Sequence, residues 1–151
     1  MMPDIVHRIG VAASPSRVYR AIATRSGLIN WWTWHVIGEP SPGRPVRFRF
    51  ARGEADMEMR ELTPDRRIVW RCVSGPVAWV DTEIVFSLSP NEAAGGRETV
   101  ILFSHKGWRE AGEFMAHCNT EWAYFLLSLM GWVEDGRGTP FPENRKISSW
   151  G

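Results

Sequence analysis

Few residues of this chain have the type and spacing that chemistry demands. His105 lies on the same face of an alternating run as Ile101 and Phe103, so its imidazole would meet whatever that face packs against. A histidine there can act as general acid or base near neutral pH, or it can be a strand-end residue hydrogen-bonded to a neighbouring loop, which is the plainer account. Glu113, His117 and Glu121 stand four apart, so on a helix they share one side and could ligate a metal or pair a base with its orienter. No His-Glu-x-x-His or Cys-x-x-Cys pattern completes such a site, and no metal is assigned. The preferred reading of that arc is a solvated helix face, with Glu121 and Tyr124 its members nearest the apolar stripe. Cys72 and Cys118 are too distant in sequence for a zinc knuckle and read as small core residues. Gly-rich phosphate loops and Gly-x-Ser-x-Gly elbows are absent from the sequence. No residue is therefore assigned a catalytic role, and His105, Glu121 and Tyr124 stand as the candidates.

The aromatic inventory carries more. Nine tryptophans stand beside two tyrosines, at positions 31, 32, 34, 70, 79, 108, 122, 132 and 150. Indole combines a wide apolar face with one N–H that needs a partner, so nine of them in 151 residues must fill a core or line a hollow. The expected ligand-contacting set is Trp31, Trp32, Phe48, Phe50, Met57, Met59, Trp70, Trp79, Phe86, Phe103, Phe114, Cys118, Trp122 and Phe125. Any one of these also serves as plain core.

A net charge of +1 gives no general pull toward nucleic acid. Arg47, Arg49 and Arg52, and then Arg66, Arg67 and Arg71, form basic stretches that Glu54, Asp56, Glu58 and Glu83 can match across strands. The longest apolar stretch, Trp122 to Val133, is short of the ~20 residues that span a bilayer. Met1-Met2-Pro3-Asp4 lacks the basic head of a secretory signal, so a cytoplasmic location is expected.

These residues need positioning elements. Ile5 to Val11 alternates like a half-buried strand, and Ser14-Pro15 caps a helix carrying Val18, Ala21 and Ile22. A second short helix is expected from Arg25 to Trp32, followed by a Pro40–Pro45 loop. Alternating strands then cover Val46–Phe50, Met57–Arg60, Ile68–Val73, Thr82–Leu88 and Thr99–His105, with Gly53-Glu54 as a hairpin tip and Thr63–Arg66 as a turn. From Glu110 the period becomes helical, placing Phe114, Cys118, Trp122, Phe125, Leu129 and Trp132 on one stripe as far as about Val133. The fold class is α+β: a curved antiparallel sheet on one long carboxy-terminal helix. One domain over residues 1–151 is expected, with its core at about 5–134 and an irregular tail at 135–151.

The order of several segments is similar to a known family. These are Ala13–Ile22, Gly27-Leu28 to Trp31-Trp32, Glu61–Trp70, Thr82–Phe86, His105-Lys106-Gly107-Trp108, and Glu121-Trp122 with Leu126 and Leu129. From about Ile5 to Pro142 the chain resembles the START/SRPBCC superfamily with its helix-grip fold, and within it the activator of heat-shock protein 90 ATPase (homologue-1-like) family. The resemblance implies a seven-stranded sheet gripping the last helix, two short helices after the first strand, and a cavity for a small apolar or amphipathic molecule. No cofactor is implied.

Three functions follow as expectations: a non-catalytic binder of a small hydrophobic molecule such as a lipid; a cyclase- or hydrolase-type enzyme using His105, Glu121 or Tyr124; or a protein-interaction module. In the third case Leu126, Met130 and Val133, beyond the core stripe, would cover a homodimer or chaperone interface. Chaperone activation is the less favoured form, because the resemblance covers only the carboxy-terminal-type domain of the eukaryotic co-chaperone.

Overall fold

The computed structural model describes residues 3–51 and 53–151; Arg52 and the first two residues lie outside the described set. Alternation in the first apolar run produces β1 (Ile5–Val11), whose ends Ile5 and Val11 are buried. Ser14 then caps α1 (Pro15–Ala23): its hydroxyl accepts from the Arg17 N–H at 3.3 Å, and Pro15 supplies a pre-set φ at the first turn. The helix buries Val18, Ala21, Ile22 and Ala23.

Thr24 ends α1 and caps α2 (Arg25–Leu28), accepting from the Gly27 N–H at 3.0 Å. The second helix is thus one turn, shorter than the Arg25–Trp32 span expected from sequence. A β-carbon on Gly27 would sit 2.4 Å from the Ala21 carbonyl oxygen and 2.6 Å from the Ala21 Cα, both backbone atoms. Gly27→Ala is therefore expected to cost about 3 kcal/mol, because overpacking against fixed backbone outweighs any gain in helix propensity. Urea unfolding checks this, and a change under 1 kcal/mol in magnitude would contradict it. Trp31 completes the corner, donating its indole N–H to the Ala21 carbonyl at 2.8 Å.

The sheet follows as β2 (Val36–Ile37), β3 (Pro45–Phe50), β4 (Gly53–Thr63), β5 (Arg67–Ser74), β6 (Glu83–Pro90) and β7 (Thr99–Lys106). All neighbours are antiparallel in the order β1-β7-β6-β5-β4-β3-β2. β2 is too short for alternation to reveal it. Gly53 is not a tip but the first residue of β4, paired with Phe50, and Glu54 pairs with Arg49, so both lie within the strand. Between β4 and β5 the register shifts at Asp56/Met57 and again at Met59/Glu61. Such irregularities increase local twist, and they bend the sheet around its inner face.

α3 (Glu113–Asp135) lies against that inner face; its 23 residues make it about 35 Å long at 1.5 Å per residue. It ends at Gly136, whose left-handed φ of 73° lets its N–H reach the Gly131 and Trp132 carbonyls. The Arg17 guanidinium donates to the Val133 carbonyl at 2.7 Å and Glu134 accepts from the Ala12 N–H at 2.8 Å, so both ends of the α1 turn hold the helix terminus. Leu126 and Val133 are buried within this packing. They are not open to a partner as the sequence reading required; on this helix the exposed large apolar residue among those described is Leu127.

Residues after Asp135 are irregular but held in place. Thr33 and Phe141 form an isolated parallel bridge, with Phe141 N–H donating to the Trp32 carbonyl at 2.8 Å and Trp34 N–H to the Phe141 carbonyl at 3.0 Å. Gly138 passes so close to Asn30 that a β-carbon would fall 2.1 Å from its carbonyl oxygen. Ser128, on the polar arc of α3, is buried because its hydroxyl joins the Trp31 carbonyl at 2.9 Å and the Thr139 N–H at 2.7 Å.

Candidate functional site

Between the β3–β4 connection, the end of β5 and the first half of α3 the sheet and helix do not close. They leave a cleft of about 1070 Å³. Its floor and walls include Trp32, Phe50, Trp79, Phe114, Cys118, Trp122 and Phe125 from the expected set, with Glu121 among them. Tail residues Phe141, Pro142, Asn144, Lys146, Ser149, Trp150 and Gly151 form the remaining wall. The sequence reading gave that tail no role; its aromatic residues, Phe141 and Trp150, were the available signal.

Trp31, Phe48, Met57, Met59, Trp70, Phe86 and Phe103 are not in the lining. They are fully buried, Trp31 after α2 and the others on the inner sheet face, behind the cleft rather than around it. The two groups meet through stacked rings. Trp79 lies 6.4 Å from Trp122, Trp122 5.3 Å from Trp32, and Trp32 5.4 Å from Trp70, each pair within 28° of parallel. This run of four indoles carries the cleft floor into the core, where their contact areas and offset faces stabilise it.

His105 stands behind the floor, fully buried. The Trp122 indole can only donate, so at 3.0 Å its N–H fixes His105 Nδ1 as acceptor. His105 Nε2 then carries the proton and donates to Thr82 Oγ1 at 2.8 Å, and the Thr82 hydroxyl passes on to the Trp79 carbonyl at 2.6 Å. Burial pushes the imidazole down to about 3. Both ring nitrogens are engaged and neutral, an arrangement that orients Trp122 and Trp79 and leaves nothing for proton transfer in the cleft. Tyr124 is also outside the lining; its hydroxyl accepts from the Arg145 N–H at 3.0 Å and fastens the tail.

Glu113, His117 and Glu121 do not form one solvated face. Glu113 is exposed, whereas the side chains of His117 and Glu121 are only 8% and 17% exposed and line the cleft. The cover is the tail: Ser148 Oγ lies 2.7 Å from His117 Nδ1 and accepts from the Trp150 N–H at 3.1 Å. His117 Nε2 faces Glu121 Oε1 at 3.7 Å, beyond hydrogen-bond reach. Burial raises the Glu121 carboxyl to about 7, and its Oε2 is buried with no partner. Burial also lifts Cys118 to about 12, so its thiol is protonated and inert at neutral pH. Among the described residues no three of His, Cys, Asp and Glu converge as metal ligands.

In the basic stretches Arg47, Arg49, Arg67 and Arg71 are matched by acids. Arg47 makes a bidentate pair with Asp56, at 2.8 and 3.0 Å, and Arg49 meets Glu54 at 3.0 Å. Arg67 pairs with Glu61, and Arg71 with Asp81. The hydrogen bonds from Arg47 hold the Asp56 carboxyl below its ordinary range. Among the described residues no helix is long and apolar enough to cross a membrane.

A sheet in this order gripping a single long helix, with the open end lined as described, is the frame against which known proteins compare. Residues 12–134 match the model of the family described as Activator of Hsp90 ATPase homolog 1-like protein. The chain belongs to that family. A member of known structure, the Aha1 dimer from Colwellia psychrerythraea in solution, is 41% identical, covers 91% of this chain and 100% of its own, and superposes with a TM-score of 0.83. CalU16 from Micromonospora echinospora, at 22% identity over 94% of this chain and 79% of its own, shares the fold with a TM-score of 0.67. DynU16, a protein of the dynemicin biosynthetic locus, does so at 19% identity and 0.74, covering 89% of this chain and 48% of its own. No curated protein matches the chain. The helix-grip architecture of the family is thus present in full, from β1 to α3.

Proposed function

We propose that this protein binds one small apolar or amphipathic molecule, without transforming it, in the hydrophobic cleft between sheet, α3 and tail. The observation that carries this reading is a 1070 Å³ opening whose lining is dominated by Trp32, Phe50, Trp79, Phe114, Trp122 and Phe125. Concave, mostly apolar surfaces with a few polar groups are where small ligands are held. Membership of a family built on this fold supports it, and a concave aromatic hollow suits a small molecule better than a chaperone surface. Trp32, Phe50, Trp79, Phe114, Cys118, Trp122 and Phe125 are the contacts we assign. The engaged, neutral His105 argues against that residue as the acid–base group of an enzyme.

The test uses native mass spectrometry for co-purified molecules, and titration with N-phenyl-1-naphthylamine, a neutral dye that brightens in apolar sites. Phe114 is half-buried and packs on Trp150 at 5.9 Å, so Phe114→Ala should fold while loosening the wall. We expect saturable dye binding in the parent protein and about tenfold weaker binding in the variant. An empty protein that fails to bind the dye would overturn the reading.

The 41% identical relative, described as a dimer, favours a second reading that concerns assembly. A homodimer of this chain is proposed on that basis, and sedimentation across a concentration range decides it.

A further inference from the structure

An open sheet has two edge strands, and the two edges of this one are unlike. β2 is two residues long, too short to template another strand. β1 runs for seven, and among the described residues the backbone groups of 5–10 have no backbone partner other than β7. An edge of that length invites pairing with another chain and is ordinarily blunted by charge. The charges here are arranged differently. Asp4, Val6 and Arg8 alternate on the outer side of the sheet and all are exposed, Val6 by 59%. The acid and the base stand at equal distances on either side of Val6. Arg47, Arg49, Arg60, Arg67 and Arg71 each meet an acid, whereas among the described residues Arg8 meets none.

Such a strand is complementary to itself. Antiparallel pairing about a two-fold axis through Val6 sets Val6 against Val6 of a second copy, Ile5 against its His7, and Asp4 against its Arg8. Leu102 on β7, 51% exposed, extends the contact: Val6 pairs with Ser104 and Arg8 with Leu102, so Leu102 is the diagonal neighbour of Val6. Two copies thereby join their Val6 and Leu102 side chains into one apolar strip, flanked by two Asp4–Arg8 ion pairs. An isologous interface requires this self-matching, with apolar groups at the centre and polar groups at the rim. We propose that β1 is the dimer surface of this protein, two copies pairing their β1 edges about Val6 to make one continuous sheet. This rests on the homodimer reading above and adds to it the surface and the register. No β1 residue is among those lining the cleft, so assembly and ligand binding are tested apart.

Sedimentation velocity across a concentration range reads the dimer dissociation constant. Val6→Lys places two ammonium groups face to face on the axis, and Arg8→Asp turns both ion pairs into repelling acids; each is expected to weaken the dimer about tenfold or more. Adding Asp4→Arg to Arg8→Asp restores opposite charges and should bring the constant back to within about threefold of the parent. Within one extended chain positions 4 and 8 lie about 13 Å apart, so recovery reports a contact between copies. Melting temperatures accompany these measurements, because Asp4 also accepts from the Gly107 N–H at 3.1 Å. A second readout does not depend on charge. Opposed strand residues have Cα atoms about 4.5–5.5 Å apart, within the span of a disulfide, so in oxidised glutathione Val6→Cys should cross-link to itself while the comparably exposed Leu102→Cys does not. A dimeric parent unmoved by Val6→Lys, or Val6→Cys cross-linking no faster than Leu102→Cys, would overturn the β1 interface and leave the homodimer reading in place. A parent that is monomeric at every concentration would overturn both.

Discussion

Replacing Trp122 by alanine is expected to cost roughly 5 kcal/mol of folding stability, close to the whole margin of an ordinary domain. Two losses combine. Removing the indole empties a site where Phe103 lies 4.6 Å, Trp32 5.3 Å and Trp79 6.4 Å away, ring centre to ring centre. Large-to-small aromatic changes in such sites cost about 3–5 kcal/mol. His105 Nδ1 also loses its donor while staying buried, which adds about 1–3 kcal/mol. Trp122→Phe separates the terms: most of the packing stays and the hydrogen bond goes, so about 2 kcal/mol should be lost. Urea unfolding at pH 7 measures both. An alanine variant within about 1.5 kcal/mol of the parent would mean that the indole stack does not support the cleft floor.

The second large effect is a stability profile with two opposed titrations. Folded His105 titrates near 3, whereas an ordinary histidine titrates at 6.5, so in that range the unfolded chain binds the extra proton. Stability therefore falls as pH drops from 6.5 toward 3, by on the order of 4 kcal/mol. Glu121 works the other way. Its folded value of about 7 exceeds 4.5, so the folded chain holds the extra proton between those values and stability falls as pH rises through 7. Water at the cleft mouth screens this group, leaving about 1–2 kcal/mol. Between about 4.5 and 6.5 the two slopes oppose each other, so the acid decline is shallower there than His105 alone would make it. Asp56, held low by Arg47, adds to the acid decline. In Glu121→Gln that shallow stretch should steepen and the alkaline fall disappear, so the difference between parent and variant declines from pH 5 to pH 8. Melting temperatures taken across pH 4–8.5 read this directly, and a flat difference curve would show that Glu121 is not buried as described.

The elements that obey a period were readable. Alternation in Ile5–Val11, Ile68–Val73 and Thr99–His105 and the stripe from Phe114 to Trp132 mark faces buried by neighbours of the same kind, so a local pattern reports a local environment. The site depends on contacts that no period encodes. His117 and Glu121 look like a solvated arc because the sheet does not cover them; Ser148 and Trp150, about 30 residues downstream, do. The aromatic inventory is equally ambiguous. Phe48 and Phe50 share one strand face in sequence, yet Phe48 sits at 4.5 Å over Trp32 inside the core while Phe50, two residues nearer the connection, reaches the cleft. Which side of the floor a ring occupies is set by its distance along the strand from the open end. The two-residue β2 is too short to show alternation, and Gly53 is missed because glycine reads as turn chemistry although here it opens an eleven-residue strand.

The wall formed by residues 141–151 differs in kind from the rest of the cleft. It belongs to neither sheet nor helix, and it is attached at discrete points: the Phe141 bridge, the Tyr124 hydroxyl and the Ser148–His117 bond. A wall fastened this way can change length and sequence between anchors without disturbing strand register, so the width of the cleft is free to diverge here while the frame stays constant.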